Sequence, residues 1–221
     1  HILSSCCFLK ERKKRSVEHK IHKTQRKMIN LNNPISEDLS QMRTSLWQGL
    51  IKSLLHNQNR QQTRIRLFES GVCFVREQGD IKQKNKIAGI CCGSVDDEQW
   101  GVDKRPVDFF DVKSDIEALL ALGGKTGQFE FIAETHPSLH PGQSARIYHN
   151  KKAIGWLGTL HPELAKQLKI KQTAYLFELE VDDILGAELP AFKALSKYPE
   201  IRRDIAIVVD KSCVSDDLVK S

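Results

Sequence analysis

The chain has 221 residues, enough for one large domain or two smaller ones, and its hydrophobic content of 40% is sufficient to form a buried core. No apolar run approaches the roughly 20 residues that a membrane-spanning helix needs, and the starting stretch "HILSSCCFL" lacks the basic flank and cleavage site of a signal peptide. These features predict a cytoplasmic protein without membrane contact, and the formal net charge of +6 favours nucleic-acid binding only if it is spread over the fold.

The positive charge is concentrated in the N-terminal segment, residues 1–29. Residues 1–30 carry nine lysines and arginines against two glutamates, a local net charge of +7, whereas the rest of the chain carries 25 basic and 26 acidic side chains. Such a segment is typical of a solvated, disordered tail, and it also suits non-specific contact with phosphates. Both interpretations stay open.

The first regular element predicted is an amphipathic helix over residues 44–59. Leu46, Leu50 and Leu54 recur at the spacing of one helix face, which packs either in the core or against a partner helix. Ser36 or Ser40 could cap its N-terminus. Residues 64–75 and "KIAGICCGS" (86–94) then read as strands joined by a polar hairpin.

The stretch "DFFDVKSDIEALLALGG" (108–124) predicts a short strand followed by a helix. Ser114 and Glu117 have the spacing of a capping box, and two glycines end the helix. The carboxylates of this stretch favour a helix N-terminus over a magnesium site; they are Asp108, Asp111, Asp115 and Glu117. "LGGKTGQ" (122–128) resembles a phosphate-binding loop only faintly, because it follows a helix instead of preceding one.

Strands are predicted at "FEFIAE", "SARIYHN", "KAIGWLGTL" and "TAYLFELEVDDIL", with "HNKK" as a hairpin turn and "HPELAKQLKI" as a short helix. Three His-Pro pairs begin at His136, His140 and His161. The prolines keep the first two histidines from sharing a helix interior, and no nearby cysteine or acidic cluster completes a metal site. We therefore predict that all three pairs form turns and helix starts.

Sequence motifs for chemistry are scarce. The six cysteines include no C-x-x-C pair and are predicted to be reduced, mostly buried thiols. The phosphate-loop, dinucleotide-binding, nucleophile-elbow and H-E-x-x-H motifs are all absent from the sequence. No catalytic, cofactor-binding or metal-ligating residue is therefore assigned to this chain.

Several stretches resemble, in the same order and at compatible spacing, the β subunit of bacterial phenylalanyl-tRNA synthetases. They are "NPISEDLSQMRTSLWQGLIKSLLHNQNR", "RLFESGVCF", "FFDVKSDIEALL", "HPSLHPGQSARIY", "IGWLGTLHPEL" and "FELEVDDIL". "FKALSKYPEIRRDIAIVVD" resembles the start of that subunit's C-terminal anticodon-binding domain. The resemblance runs from about residue 30 to the end, and residues 1–29 have no counterpart in it.

The resemblance implies an α+β fold, namely a class II aminoacyl-tRNA synthetase-like antiparallel sheet with flanking helices over residues 30–190. Residues 191–221 would be a linker and the truncated start of a ferredoxin-like anticodon-binding domain, with a strand at 205–209. This domain would be a non-catalytic scaffold in an α2β2 enzyme that attaches phenylalanine to its tRNA, with ATP and Mg²⁺ used by the α subunit. Arg202 and Arg203 are candidate tRNA contacts; alternatively they form ion pairs where the strand begins.

Class II catalysis needs an arginine that clamps ATP and a glycine-rich strand–helix element that ends in arginine. "RIRLFES" has the outline of the first part in Arg66 and Glu69, but residues 140–195 do not supply the second. These two residues are therefore predicted to be a remnant that bonds within the sheet. Two other hypotheses remain: an independent ATP-dependent ligase, and a free-standing RNA-binding module that uses the basic N-terminal segment.

Overall fold

The computed structural model describes residues 29–33, 40–77, 79–123, 128–182, 184, 203–210 and 218. The chain divides into two compact units, His1–Leu189 and Pro190–Ser221. The predicted linker, the basic segment 1–28 and most of "LGGKTGQ" lie outside the described residues.

The first unit is built from three helices and six strands among the described residues. In chain order they are α1 (Trp47–Asn59), β1 (Ile65–Glu77), β2 (Asp80–Cys92), α2 (Phe109–Ala121), β3 (Phe129–Ala133), β4 (Leu139–His149), β5 (Lys152–Leu160), α3 (Pro162–Leu168) and β6 (Ala174–Glu180). The strands form one sheet in the order β1-β2-β6-β5-β4-β3, with every neighbouring pair antiparallel. The α+β class and the antiparallel sheet are thus confirmed.

The sheet is covered on both faces, because successive side chains of a strand point to opposite sides. Along β6, Leu176 packs with α1 in one core cluster, whereas Tyr175 and Leu179 pack with α2 in the other. The charged side chains of β1, β2 and β6 also point alternately to one face of the sheet and to the other. The face toward α1 will be called the α1 face, and the opposite one the α2 face.

Helix α1 lies in the core and not against a partner, which decides between the two alternatives for its apolar face. Leu46, Leu50 and Leu54 are all buried. The helix begins at Trp47, so Ser40 is not its cap, whereas Ser36 lies outside the described residues. The N-cap residue is Leu46, whose side chain makes no capping hydrogen bond.

Helix α2 begins earlier than predicted, at Phe109, and the expected short strand is absent from this described stretch. Asp108 is its N-cap and Asp111 completes the capping box, so Ser114 and Glu117 are not the caps. Asp108 and Asp111 lie at the helix N-terminus, as predicted, whereas Asp115 and Glu117 lie further along the helix. Hydrogen bonds from Arg105 lower the pKa of Asp111 to about 2.

The hairpin turns follow the sequence closely. Asn150 and Lys151 both have positive φ between β4 and β5, as a tight two-residue turn requires. In the second unit, residues 203–210 form neither a helix nor a paired strand, so the strand predicted at 205–209 is not confirmed. Ile205 is 84% exposed and Val208 fully exposed.

A polar groove on the sheet as the candidate functional site

Beside the first turn of α1, the α1 face of the sheet forms an open groove of about 330 Å³. Every strand except β3 contributes to it. Its lining combines charged side chains of β1, β2 and β6 with Trp156 of β5, Arg146 of β4 and His136 from the loop before β4. Seven ionisable side chains thus line one concave surface: Glu77, Lys84, Lys86, His136, Arg146, Glu178 and Glu180.

A buried ion pair lies in the groove beside the start of α1. The ammonium of Lys86 is 2.6 Å from the carboxylate of Glu178, and each side chain is only 9% exposed. The second oxygen of Glu178 accepts hydrogen bonds from the Ser45 hydroxyl at 2.7 Å and from the backbone N–H of Leu46 at 2.8 Å. Glu178 of β6 thus accepts hydrogen bonds at the N-terminus of α1 and replaces the missing local cap.

A second set of ion pairs extends along β1, β2 and β6. Lys84 is 3.1 Å from Glu180 and 3.2 Å from Glu77, which Lys82 also approaches to 3.3 Å. Hydrogen bonds from the two lysines lower the pKa of Glu77 below its usual range, with Lys84 the larger cause. The lysines of the groove are therefore committed to carboxylates of the same chain.

The far end of the groove is aromatic. The ring of His136 lies 5.3 Å from the ring of Trp47 and 4.8 Å from that of Trp156. The guanidinium of Arg146 sits 4.4 Å from the centre of the Trp156 ring. Burial, assisted by the charge of Arg146, lowers the pKa of His136 to about 4, so this histidine is neutral at physiological pH.

The three His-Pro pairs share one local geometry. In each, the Nδ1 atom of the histidine accepts a hydrogen bond from the backbone N–H two residues on: Ser138 at 3.2 Å from His136, Gly142 at 3.0 Å from His140, and Glu163 at 3.2 Å from His161. The last of these caps α3, with the proline at its first position.

The prediction that the pairs form turns and a helix start is therefore confirmed. Within the described ranges, no group of three or more histidine, cysteine or acidic side chains is arranged to hold a metal ion.

Arg66 and Glu69 lie on opposite faces of β1, because they are three positions apart and side chains alternate along a strand. Arg66 donates to Asp115 of α2 at 3.0 Å, whereas Glu69 accepts from Arg43 at 2.7 Å on the α1 face. Both side chains bond to segments that cover the sheet and not to neighbouring strands, which corrects the expected bonding within the sheet. They cannot jointly grip one nucleotide.

The described cysteines are buried and have no disulfide partner, as predicted. Burial raises the pKa of Cys73 and of Cys91 to about 12, and it raises the pKa of Cys92 as well. Thiols in this state are poor nucleophiles, so they act as small apolar side chains.

The candidate tRNA contacts are only partly described. Arg202 lies outside the described residues, while Arg203 is exposed and forms no ion pair with any residue that the structure describes. The structure therefore leaves the guanidinium of Arg203 accessible to solvent.

Sequence reasoning missed the Lys86–Glu178 pair, whose members are 92 positions apart. A signal was present: each charged residue directly adjoins core-facing apolar positions of its strand, with Ala88 and Ile90 following Lys86 and with Leu176 preceding Glu178. Opposite charges at inward positions of two predicted strands indicate that the strands are neighbours.

The fold belongs to a known class. Two solved structures of pyrrolysyl-tRNA synthetase from Desulfitobacterium hafniense superpose with TM-scores of 0.56 and 0.54, each covering 77% of this chain and 55% and 58% of those structures. The identities are 12% and 15%, so the likeness concerns the fold alone. The sheet and its covering helices are thus those of a class II aminoacyl-tRNA synthetase-like domain.

The sequence places the chain within one family of that class. Residues 5–181 match the phenylalanyl tRNA synthetase beta chain CLM domain, and the chain belongs to this family. The resemblance predicted from the motifs is therefore confirmed, and the family match begins earlier than residue 30.

Two similar relatives are phenylalanine–tRNA ligase beta subunits. That of Pseudomonas putida is 50% identical over 190 residues, or 86% of this chain and 24% of the relative. That of Nitrosococcus oceani is 51% identical over 181 residues, or 81% of this chain and 23% of the relative. The chain thus spans about a quarter of the length of these relatives. None of its described helices has the length and apolar composition needed to cross a bilayer.

Proposed function

We propose that this chain is a non-catalytic scaffold portion of a cytoplasmic phenylalanine–tRNA ligase beta subunit. In the complete enzyme it supports the ATP-dependent attachment of phenylalanine to tRNA at an active site carried by the α subunit. The observation that carries the proposal is that Arg66, Lys84 and Lys86 are each held by a carboxylate within the chain.

The phosphates of ATP require cations that converge on one surface and are free to meet them. Arg66 faces α2, and Lys84 and Lys86 are each within 3.2 Å of a carboxylate. Binding ATP in this groove would require breaking buried ion pairs, each of which also supports the fold. We propose that ATP and Mg²⁺ bind in the α subunit of the complete enzyme.

An ATP–pyrophosphate exchange assay with phenylalanine tests the absence of catalysis. We expect no exchange above background with this chain, and full exchange with the intact enzyme as the positive control. Exchange that co-purifies with the chain, and that disappears when Arg66 is replaced by alanine, would favour the independent ligase.

The partner implied by the family is the α subunit, in an α2β2 assembly. Light scattering on a sizing column measures the mass of this chain alone and mixed with the α subunit from the same source. A stoichiometric complex supports the scaffold role. Separate elution of two folded species would place the subunit interface outside this chain and would contradict the proposal.

Contact with tRNA is proposed for Arg202 and Arg203, since an exposed guanidinium without an internal ion-pair partner is suited to phosphates. In the complete β subunit within the enzyme, Arg203→Glu should weaken tRNA binding and lower its salt dependence. Arg76→Glu on β1 is the matched control, because Arg76 is exposed too. Equal tRNA affinity of both variants and the parent enzyme would exclude Arg203.

The alternative of a free-standing RNA-binding module has no support from the relatives, which are all ligase subunits. Deleting residues 1–29 still tests it directly. Loss of RNA retention by the shortened chain would favour the module, whereas unchanged retention would exclude it.

A further inference from the structure

One positive charge in the groove remains without a carboxylate among the described residues. Lys84 and Lys86 pair with Glu180 and Glu178, whereas the guanidinium of Arg146 has no ion pair and no hydrogen bond to any described residue. It rests on the Trp156 ring at 4.4 Å, a contact that fixes its position and leaves its N–H donors free.

A second donor contacts the same Trp156 ring. Because Nδ1 of His136 accepts from the Ser138 N–H, the proton of the neutral ring is on Nε2. The His136 ring also packs against Trp156, at 4.8 Å, and both side chains line the groove. A guanidinium fork and an imidazole N–H therefore flank the same indole in a partly dry setting.

We propose that this end of the groove binds a small organic anion. Its carboxylate or phosphate group accepts hydrogen bonds from the guanidinium of Arg146 and from the Nε2–H of His136, and the rest of the molecule lies along the α1 face of the sheet. A volume of about 330 Å³ matches the lower end of small-molecule sites. Lys82, Lys84 and Lys86 together balance the three carboxylates Glu77, Glu178 and Glu180, so the guanidinium of Arg146 is the charge of the groove that lacks a counter-charge among the described residues. This inference goes beyond the scaffold role and does not depend on it.

Nuclear magnetic resonance of the full chain labelled with ¹⁵N-tryptophan tests the proposal. The chain has three tryptophans, so three indole N–H signals are expected, and Trp156→Phe identifies the relevant one. Benzoate and phenyl phosphate serve as the carboxylate and phosphate probes, and benzamide is the uncharged control. Titration to about 20 mM covers the millimolar affinity expected of one charge-assisted contact.

We expect saturable shifts of the Trp156 signal with one or both anions, little effect of benzamide, and no shift of the exposed Trp100. Whichever anion saturates identifies the head group. Arg146→Met should weaken binding about tenfold or more, since the bidentate charge-assisted contact is lost, whereas Arg76→Met should not change it. Arg146→Lys, which keeps the charge without the fork, should give an intermediate affinity, and it replaces the methionine variant if that variant does not fold.

Absence of any saturable shift of Trp156 overturns the proposal. So does binding that is unchanged in the folded Arg146 variants, or equal shifts with benzamide. Failure here leaves complex formation with the α subunit unaffected, so the two proposals are tested separately.

Discussion

We expect that replacing one partner of the Lys86–Glu178 pair destabilises the first unit strongly, whereas replacing both costs much less. The pair is 2.6 Å long and its side chains are 9% exposed, so removal of either charge leaves the other buried without a counter-charge. Breaking such a pair typically costs about 3–5 kcal/mol. Glu178→Gln is the cleanest single change, because the amide oxygen can still accept from Ser45 and Leu46.

The assay is urea unfolding followed by circular dichroism, applied to Glu178→Gln, Lys86→Met and the double variant. The double variant removes both charges and should lie within about 2 kcal/mol of the parent, which gives a coupling energy of several kcal/mol. Lys104→Met is the matched control, since the pair of Lys104 with Glu98 has the same 2.6 Å length but is 66% and 82% exposed. It should change the free energy of unfolding by less than about 1 kcal/mol.

The reasoning is refuted if each single variant at Lys86 or Glu178 costs no more than Lys104→Met. It is also refuted if the double variant loses the sum of the two single losses, because the pair would then contribute no mutual stabilisation. A change in the dependence of the unfolding free energy on urea would indicate altered compactness instead.

Three further outcomes are expected. Because the pKa of His136 is about 4 in the folded chain, the unfolded chain binds more protons between about pH 4 and 6.5. Lowering the pH from 8 to 5 should therefore reduce the free energy of unfolding of the parent chain by about 2 kcal/mol more than that of His136→Asn, as measured by urea unfolding. Asp108→Ala should cost about 1 kcal/mol in the same assay, whereas Ser114→Ala should be close to neutral; equal losses would reassign the cap. Cys73 and Cys91, whose pKa is about 12, should resist a thiol reagent at pH 8 until urea unfolds the chain, with peptide mass spectrometry locating the label; rapid labelling of the native chain would contradict their burial.

The sequence predicted the elements whose cause is local. The alternation of strands β3 to β6, the turn at Asn150 and the histidine turns each depend on a few neighbouring residues. The predicted capping box of α2 is wrong, because Asp108, which caps the helix, lies in the stretch for which the sequence predicts a short strand. The cap of α1 comes from Glu178, 132 positions from Leu46, which no local rule reaches.

The ion pairs of the groove show that most of its charged residues serve the fold. An anion-binding surface needs cations that water or ligand can reach, whereas a stable fold needs buried cations to be paired. In this chain the buried cation is paired: the carboxylate of Glu178 forms an ion pair with Lys86 and also accepts a hydrogen bond at the start of α1. Freeing Lys86 for a ligand would therefore loosen the helix that covers the sheet. Arg146 is held by an aromatic ring instead of a carboxylate. Among the described cations of the groove, it is therefore the one that can bind an anion without breaking an ion pair of the fold.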